Sequence, residues 1–293
     1  MIILNEREYA ETCLRDGAVG DSIFQTLGIL SKYYYSIGYR QKKITSSLLQ
    51  FLENNYFHYR ENENYWIDCV RKIASQAGKH PLYEFDGVWI TQKELDTIEN
   101  IDSKLLRRIA FTYLCLAKFN ILKNPKSNGW VNLSDKDVFK LAHINCTIED
   151  RDIKIGTLYD YGYLYISKKI ESSGVQVLFI DADGEGVLHV SDFRELGYEY
   201  LLYCGENYIR CAECGILTKG NKRGTKRYCS KCVGYSPQDG KKIVCVDCGT
   251  EFLTNSMNNR ACRCDDCYKE YRKNKKLETQ RMRRESSVKS DQF

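Results

Sequence analysis

Two stretches near the C-terminal end each contain a pair of Cys-x-x-Cys motifs, and this spacing constrains the fold more than any other feature of the sequence. Fourteen residues separate the pairs in the first stretch and fifteen in the second. In a cytosolic protein, where thiols stay reduced, such spacings indicate metal ligands rather than disulfides. The eight cysteines are Cys211, Cys214, Cys229, Cys232, Cys245, Cys248, Cys264 and Cys267.

Four soft thiolates per site match the tetrahedral preference of Zn²⁺, so the sequence predicts two zinc ions. Redox-active or merely buried cysteines are the alternative. Four thiolates leave no open coordination position, which predicts structural rather than catalytic ions. "CAECGILTK" and "CVDCGTEFL" look like copies of one module, with Gly215 and Gly249 directly after the second cysteine of a pair. Cys262 competes with Cys264, but only Cys264 has the two-residue spacing to Cys267.

The segment between the first two cysteine pairs is strongly basic. It contains no acidic residue, and glycines separate its cations, so it suits contact with phosphates. A solvated loop is the alternative. The candidate nucleic-acid-binding residues here are Lys219, Lys222, Arg223, Lys226 and Arg227.

The segment after Cys267 is also basic and has no apolar stripe. Such arms commonly neutralise phosphates and order on binding, although a solvated terminus has the same composition. Its candidate contacts are Arg272, Lys273, Lys275, Lys276, Arg281, Arg283 and Arg284. The formal net charge of the whole chain is only +5, and two tetrathiolate zinc sites would lower it further, so only locally concentrated charge supports a polyanionic partner.

The rest of the chain has the composition of a folded protein, with 43% hydrophobic and 28% charged residues. No apolar run approaches the length of a membrane span, and the N-terminus lacks a secretory pattern, so we expect a cytoplasmic protein without a membrane partner. Apolar residues at helical spacing predict a small helical bundle for residues 1–100.

Residues 103–182 show the order helix, strand, helix, turn, helix, hairpin. This stretch resembles the winged helix-turn-helix family, whose third helix inserts into the major groove. Here that helix is acidic, with Glu149, Asp150, Asp152 and Asp160, so a structural or protein-binding role competes with DNA reading. Lys168 and Lys169 on the wing are further candidate nucleic-acid contacts.

The second cysteine module is similar to a zinc ribbon or treble-clef finger. The complete layout resembles uncharacterised proteins of phages and integrated bacterial elements, and this resemblance implies a role in replication or transcription. The predicted α+β architecture has five parts: a helical domain (1–100), a winged-helix-like domain (101–205), two zinc ribbons (206–234 and 241–270) and a basic tail (271–293).

The sequence carries no signature of catalysis. Its four histidines lie outside the cysteine region, and no phosphate-binding loop, nucleophile elbow or zinc-protease motif occurs. "DADGEG" at 181–186 resembles a calcium loop but follows an apolar strand, so we interpret it as a turn. We therefore expect a non-enzymatic protein that binds nucleic acid, with DNA favoured over RNA. An adaptor that docks a protein partner on the winged-helix-like domain is the alternative.

Overall fold

The structure, a computed structural model, describes residues 2–20, 22–167, 174–233, 241–254, 262–264, 266–275 and 278. The chain forms two compact units. Unit 1 comprises Met1–Arg210 and Ile216–Lys226, and unit 2 comprises Cys211–Gly215 and Arg227–Phe293. Helices and short sheets occur together, in agreement with the predicted α+β class.

Four helices form the first part of unit 1. Residues at helical spacing, such as Leu27 and Leu30, are fully buried in a hydrophobic cluster that these helices share. A 3₁₀ helix, Phe57–Tyr59, precedes the last of them. The four are α1 (Glu6–Asp16), α2 (Ile23–Ser36), α3 (Gln41–Asn55) and α4 (Glu63–Gln76).

A second hydrophobic cluster lies in the following part of unit 1. The elements around it are β1 (Val88–Thr91), α5 (Gln92–Glu99), α6 (Lys104–Lys123), β2 (Trp130–Val131), α7 (Asp135–Leu141), α8 (Ile148–Asp160), β3 (Leu164–Ile166), β4 (Val175–Val177), β5 (Gly186–Val190) and α9 (Leu196–Tyr203). A 3₁₀ helix, Pro125–Ser127, follows α6. Eleven of the twenty residues of α6 are buried, so it is the central helix of this cluster.

The elements from α6 to β4 surround a three-stranded sheet. Its strand order is β2-β4-β3, with both pairs antiparallel. Side-chain caps start the two intervening helices, because Ser134 accepts the amide hydrogen of Asp137 and Thr147 accepts that of Asp150. The chain thus runs helix, strand, helix, helix, strand, strand, the order that the sequence pattern indicates.

The change from the first hydrophobic cluster to the second occurs before residue 100, where the sequence predicted a domain boundary. β1 pairs with β5 in an antiparallel ladder, with Val88 opposite Val190. Val88, Ile90 and Leu95 are therefore buried in the second cluster, whereas Leu82 still packs against the first. The pairing partner lies far along the chain, so local periodicity could not assign β1 and α5 to the second cluster.

The buried carboxylate of Glu94 links three segments of the second cluster. The Thr91 hydroxyl accepts from the Glu94 amide and Glu94 in turn accepts from the Thr91 amide, which completes the capping box at the start of α5. Lys118 Nζ on α6 lies 2.8 and 2.7 Å from the two carboxylate oxygens, and the Asp181 amide donates to one of them at 2.9 Å. The buried carboxylate thus accepts hydrogen bonds from the Thr91 and Asp181 amides and from Lys118.

A hairpin of β6 (Tyr208–Arg210) and β7 (Leu217–Lys219) ends unit 1. It is held to α9 by an ion pair in which Arg210 lies 2.8 Å from the buried carboxylate of Glu199. Burial raises the pKa of Glu199. Although the sequence assigned residues 206–234 to one zinc ribbon, the strands on either side of the first cysteine pair belong to unit 1.

Unit 2 contains little regular structure in the part that the structure describes. β8 (Lys241–Val244) pairs with β9 (Glu251–Thr254), and residues 266–275 are helical. Among its described side chains only Cys211, Cys229 and Cys245 are buried. Unit 2 therefore has no hydrophobic core in its described residues, and its buried side chains there are cysteines.

Candidate metal centres and basic surfaces

The eight predicted cysteines form two groups in unit 2. Cys211, Cys214, Cys229 and Cys232 make up the first, and Cys245, Cys248, Cys264 and Cys267 the second; within each group all Sγ atoms lie within 4.8 Å of one another. No other group of three or more potential metal ligands occurs in the described part of the chain. The motif spacing therefore predicted both groups correctly.

The sulfur geometry fits a tetrahedral metal ion. Zinc binds thiolate sulfur at about 2.3 Å, which places the corners of a regular tetrahedron about 3.8 Å apart. The distance from Cys214 Sγ to Cys229 Sγ is 3.7 Å, and the same distance separates Cys248 Sγ from Cys264 Sγ. The two groups could thus hold two metal ions, and their soft all-sulfur ligands suit zinc.

The backbone around the two groups repeats almost exactly in its hydrogen bonds. Gly215 donates to the carbonyl of Cys211 and Gly249 to that of Cys245, both at 2.9 Å. Both glycines adopt a left-handed conformation, with φ of 69° and 71°. Glycine adopts this conformation without steric cost, which explains its place directly after each first cysteine pair.

Backbone amides favour the thiolate form at the first cysteine of each group. A hydrogen bond from the amide of Cys214 lowers the pKa of Cys211 to about 6. The amide of Cys264 lowers the pKa of Cys245 to about 6 in the same way. Because the thiolate is the form that binds metal, the turns prepare both ligands for coordination.

Cys262 has a backbone role that the sequence left open. Its carbonyl accepts from the amide of Val246 at 2.9 Å, as the carbonyl of Arg227 accepts from Ala212 in the first module. Each acceptor lies two residues before the third cysteine of its group. Cys262 therefore corresponds to Arg227 rather than to a ligand, and its thiol lies outside the four-sulfur group.

The basic segment between the first two cysteine pairs is an organised loop. The Asn221 side chain accepts from the amides of Thr225 and Lys226, at 3.0 and 3.2 Å. Asn207 donates through its side chain to the carbonyl of Asn221 and accepts from the Gly220 amide. These two asparagines were not recognised in the sequence, although asparagine is a common turn former.

This loop does not present its five predicted cations equally. Lys226 Nζ donates to the carbonyl of Lys219 at 2.7 Å and to the Thr218 hydroxyl at 3.1 Å, so its ammonium group supports the loop internally. The exposed side chains are those of Lys219, Lys222, Arg223 and Arg227. Charge reversal at Lys226 would consequently disturb the structure of the loop as well as its electrostatic potential.

The described part of the basic tail comprises residues 271–275, which end the helix at 266–275, and residue 278. Arg272, Lys273 and Lys275 lie on this helix and are exposed. Tyr271 on the same helix lies 4.2 Å from the Arg263 guanidinium carbon, and Lys275 Nζ lies 5.8 Å from the same ring. The remaining predicted tail contacts, Lys276, Arg281, Arg283 and Arg284, and the wing residues Lys168 and Lys169 lie outside the described residues.

The acidic helix α8 exposes apolar as well as charged side chains. Ile155 and Leu158 are buried, whereas Ile148 in the first turn is 65% exposed. Ile153 is also 65% exposed and Tyr161, just after the helix, 61%. The helical pattern missed this apolar surface because Ile148 lies in the first turn of α8, beyond the reach of the core.

The "DADGEG" segment is the turn that the sequence suggested. Asp181 accepts a hydrogen bond from the Thr91 hydroxyl at 3.1 Å, and its amide donates to Glu94. These contacts connect the turn to the start of α5. Asp181 thus has a structural role, because it joins the turn to an element of the second hydrophobic cluster.

Among the described helices, none combines the length and the apolar character that crossing a bilayer requires. Searches of protein-family models, of curated proteins and of solved structures returned no match to this chain.

Proposed function

We propose that the chain binds nucleic acid, with DNA favoured over RNA, and that two structural zinc ions hold the binding surface. The observation that carries this proposal is the organised loop between the first two cysteine pairs. It exposes Lys222, Arg223 and Arg227, and no acidic residue lies between Cys214 and Cys229. A loop that internal hydrogen bonds already order contacts phosphates with less loss of conformational entropy than a flexible one.

A winged-helix assignment for residues 103–182 belongs to this proposal. The element order of helix, strand, helix, helix and antiparallel hairpin supports it. The acidic, partly apolar surface of α8 does not favour insertion into a groove. Within this proposal the loop between the zinc ligands and the basic helix at 266–275 make the contacts, and the biological setting is replication or transcription of a phage or mobile element.

Charge reversal in the loop tests the proposal. We expect Lys222→Glu/Arg223→Glu/Arg227→Glu to weaken duplex binding by at least about tenfold in the full chain, because each lost phosphate contact removes a counterion-release contribution. The slope of log affinity against log salt should also become shallower by up to about 0.9 per lost contact. Fluorescence anisotropy with a labelled duplex at several salt concentrations measures both quantities, and elemental analysis checks that two zinc ions remain.

A matched control changes the net charge equally elsewhere. Lys42→Glu/Lys72→Glu/Lys79→Glu reverses exposed cations on α3, on α4 and in the turn after α4, and should leave the affinity within about twofold of the wild-type value. If both triple variants lose affinity to the same degree, net charge rather than the loop is responsible. Unchanged binding in the loop variant would remove the loop from the proposal.

A protein-interaction adaptor is the second candidate function, and the surface of α8 favours it. Ile148 and Ile153 stand beside exposed carboxylates of Glu149, Asp150 and Asp152. Apolar side chains surrounded by acids complement a basic amphipathic segment of a partner protein. On this alternative, duplex affinity is absent or independent of salt, and Ile153→Asp removes a stoichiometric complex with such a basic partner.

A further inference from the structure

A large cleft lies within unit 1, between the elements of its two hydrophobic clusters. Its volume is about 1060 Å³, and its walls come from the N-terminal residues and α2 on one side and from the end of α6, the Pro125–Ser127 turn and β2 on the other. It shares no residue with the loop between the zinc ligands. Its size is at the upper end of the range that is typical of small-molecule sites.

The cleft carries an excess of positive charge. Lys32, Lys123 and Lys126 line it, and the only acid among its described lining residues is Glu6. That carboxylate is already paired within the protein, because Lys32 Nζ donates to its two oxygens at 2.8 and 2.9 Å and the Tyr83 amide donates to one of them at 3.0 Å. Neither Lys123 nor Lys126 has an anionic partner among the described residues. Lys123 Nζ lies 5.4 and 5.0 Å from the ring centroids of Tyr83 and Phe119 and retains its charge for an anionic ligand.

Hydrogen-bonding and aromatic groups accompany these lysines. Ser127 lines the cleft, and its hydroxyl oxygen is buried without a hydrogen-bond partner in the described part of the chain. A buried polar group without a partner is costly unless a ligand or water satisfies it. Trp130 also lines the cleft and is half-buried, with one ring edge near Tyr165 at a centroid distance of 6.0 Å. Its indole provides an aromatic surface for a planar ligand.

We infer that this cleft binds a nucleotide unit, with its phosphate at Lys123, Lys126 and Ser127 and its base against Trp130. Lysines recognise a phosphate as point charges, and stacking on an aromatic side chain binds a base without regard to sequence. A base must be unpaired to enter such a cleft, so the source is a single strand or a free nucleotide rather than a duplex. The inference therefore goes beyond the duplex contact proposed for the loop.

The test compares full-length variants in binding a fluorescein-labelled ten-nucleotide oligothymidylate. Lys123→Gln/Lys126→Gln should weaken binding by at least about tenfold and make the salt slope shallower by about 0.7, the contribution of one phosphate contact on a single strand. Ser127→Ala should weaken it by at least about tenfold, the value of one hydrogen bond to a charged group, without lowering the melting temperature. Lys42→Gln/Lys79→Gln, on exposed surface outside the cleft, is the control and should bind as the wild type does.

Competition by thymidine 5′-monophosphate distinguishes the two sources. Displacement of the oligonucleotide by the mononucleotide identifies a free nucleotide as a sufficient ligand, whereas resistance to it identifies a strand; both results support the inference if the cleft variants reduce the affinity. Wild-type affinity in both Lys123→Gln/Lys126→Gln and Ser127→Ala would overturn it. The triple reversal of the zinc-ligand loop separates the two proposals, because each site can fail while the other still binds.

Discussion

At the scale of single residues, the pair of Glu94 and Lys118 is a charge pair held in the interior of the second hydrophobic cluster. The Glu94 side chain has no exposed surface, and Lys118 is 15% exposed. Removing one partner of such a pair leaves an uncompensated charge in the interior, whereas the intact pair is close to neutral in net free energy. Its role is to fix where α5, α6 and the turn at Asp181 meet.

We predict that Glu94→Gln lowers the free energy of unfolding by about 3–5 kcal/mol, because Lys118 then remains buried without a counter-charge. Urea denaturation followed by circular dichroism measures the change. Asp68→Asn is the matched control. It breaks the exposed pair with Arg71, in which the Asp68 side chain is 71% exposed and the Arg71 side chain 66%. This change should lower the free energy of unfolding by less than about 0.5 kcal/mol. Equal effects of the two substitutions would show that the buried pair has no special role.

At the scale of elements, the two cysteine modules share one pattern of backbone hydrogen bonds. Substitution can distinguish the metal ligands of the second module from its additional cysteine, Cys262. We predict that Cys264→Ser reduces the zinc content from about two ions per chain to about one, because three thiolates and a hydroxyl bind zinc far more weakly. Cys262→Ser should retain both ions, since only its backbone carbonyl takes part in the module. Elemental analysis of the purified variants measures this. The opposite pattern would assign Cys262 as the ligand.

Local sequence signals identified most elements but not their long-range pairing. Ser134 and Thr147 cap the starts of α7 and α8, and such a cap is a local hydrogen bond that neighbouring residues specify. Both cysteine groups were predicted because ligand spacing is itself written in the chain. In contrast, the β1–β5 ladder joins Val88 to Val190, and nothing in either short strand specifies the other. The cleft was missed for the same reason, since Glu6, Lys32 and Lys123 come together only in the folded chain.

At the scale of the whole molecule, stability is expected to have two sources. Unit 1 contains both hydrophobic clusters, whereas the described part of unit 2 buries only cysteine side chains. Apolar burial does not depend on metal, but a coreless module folds on the free energy of metal binding, on the order of 10–16 kcal/mol per structural zinc.

We predict that a strong zinc chelator under reducing conditions unfolds unit 2 and leaves unit 1 folded. Limited proteolysis should then cut within Arg227–Phe293 while a fragment containing the first nine helices persists, and far-ultraviolet circular dichroism should retain most of its helical signal. Readdition of zinc should restore resistance to protease. Complete loss of the helical signal on chelation would instead show that unit 1 depends on the metal.

The chain passes from one unit to the other three times, after residues 210, 215 and 226, and this route limits how the molecule can be divided. A gene fragment that stops at residue 210 leaves β6 without β7, and one that starts at 211 inherits β7 without β6. Neither fragment would therefore contain the complete β6–β7 hairpin. For the same reason, recombination cannot transfer the first cysteine module to another protein by simple end-to-end fusion, whereas the second, from residue 241 onward, has no such constraint.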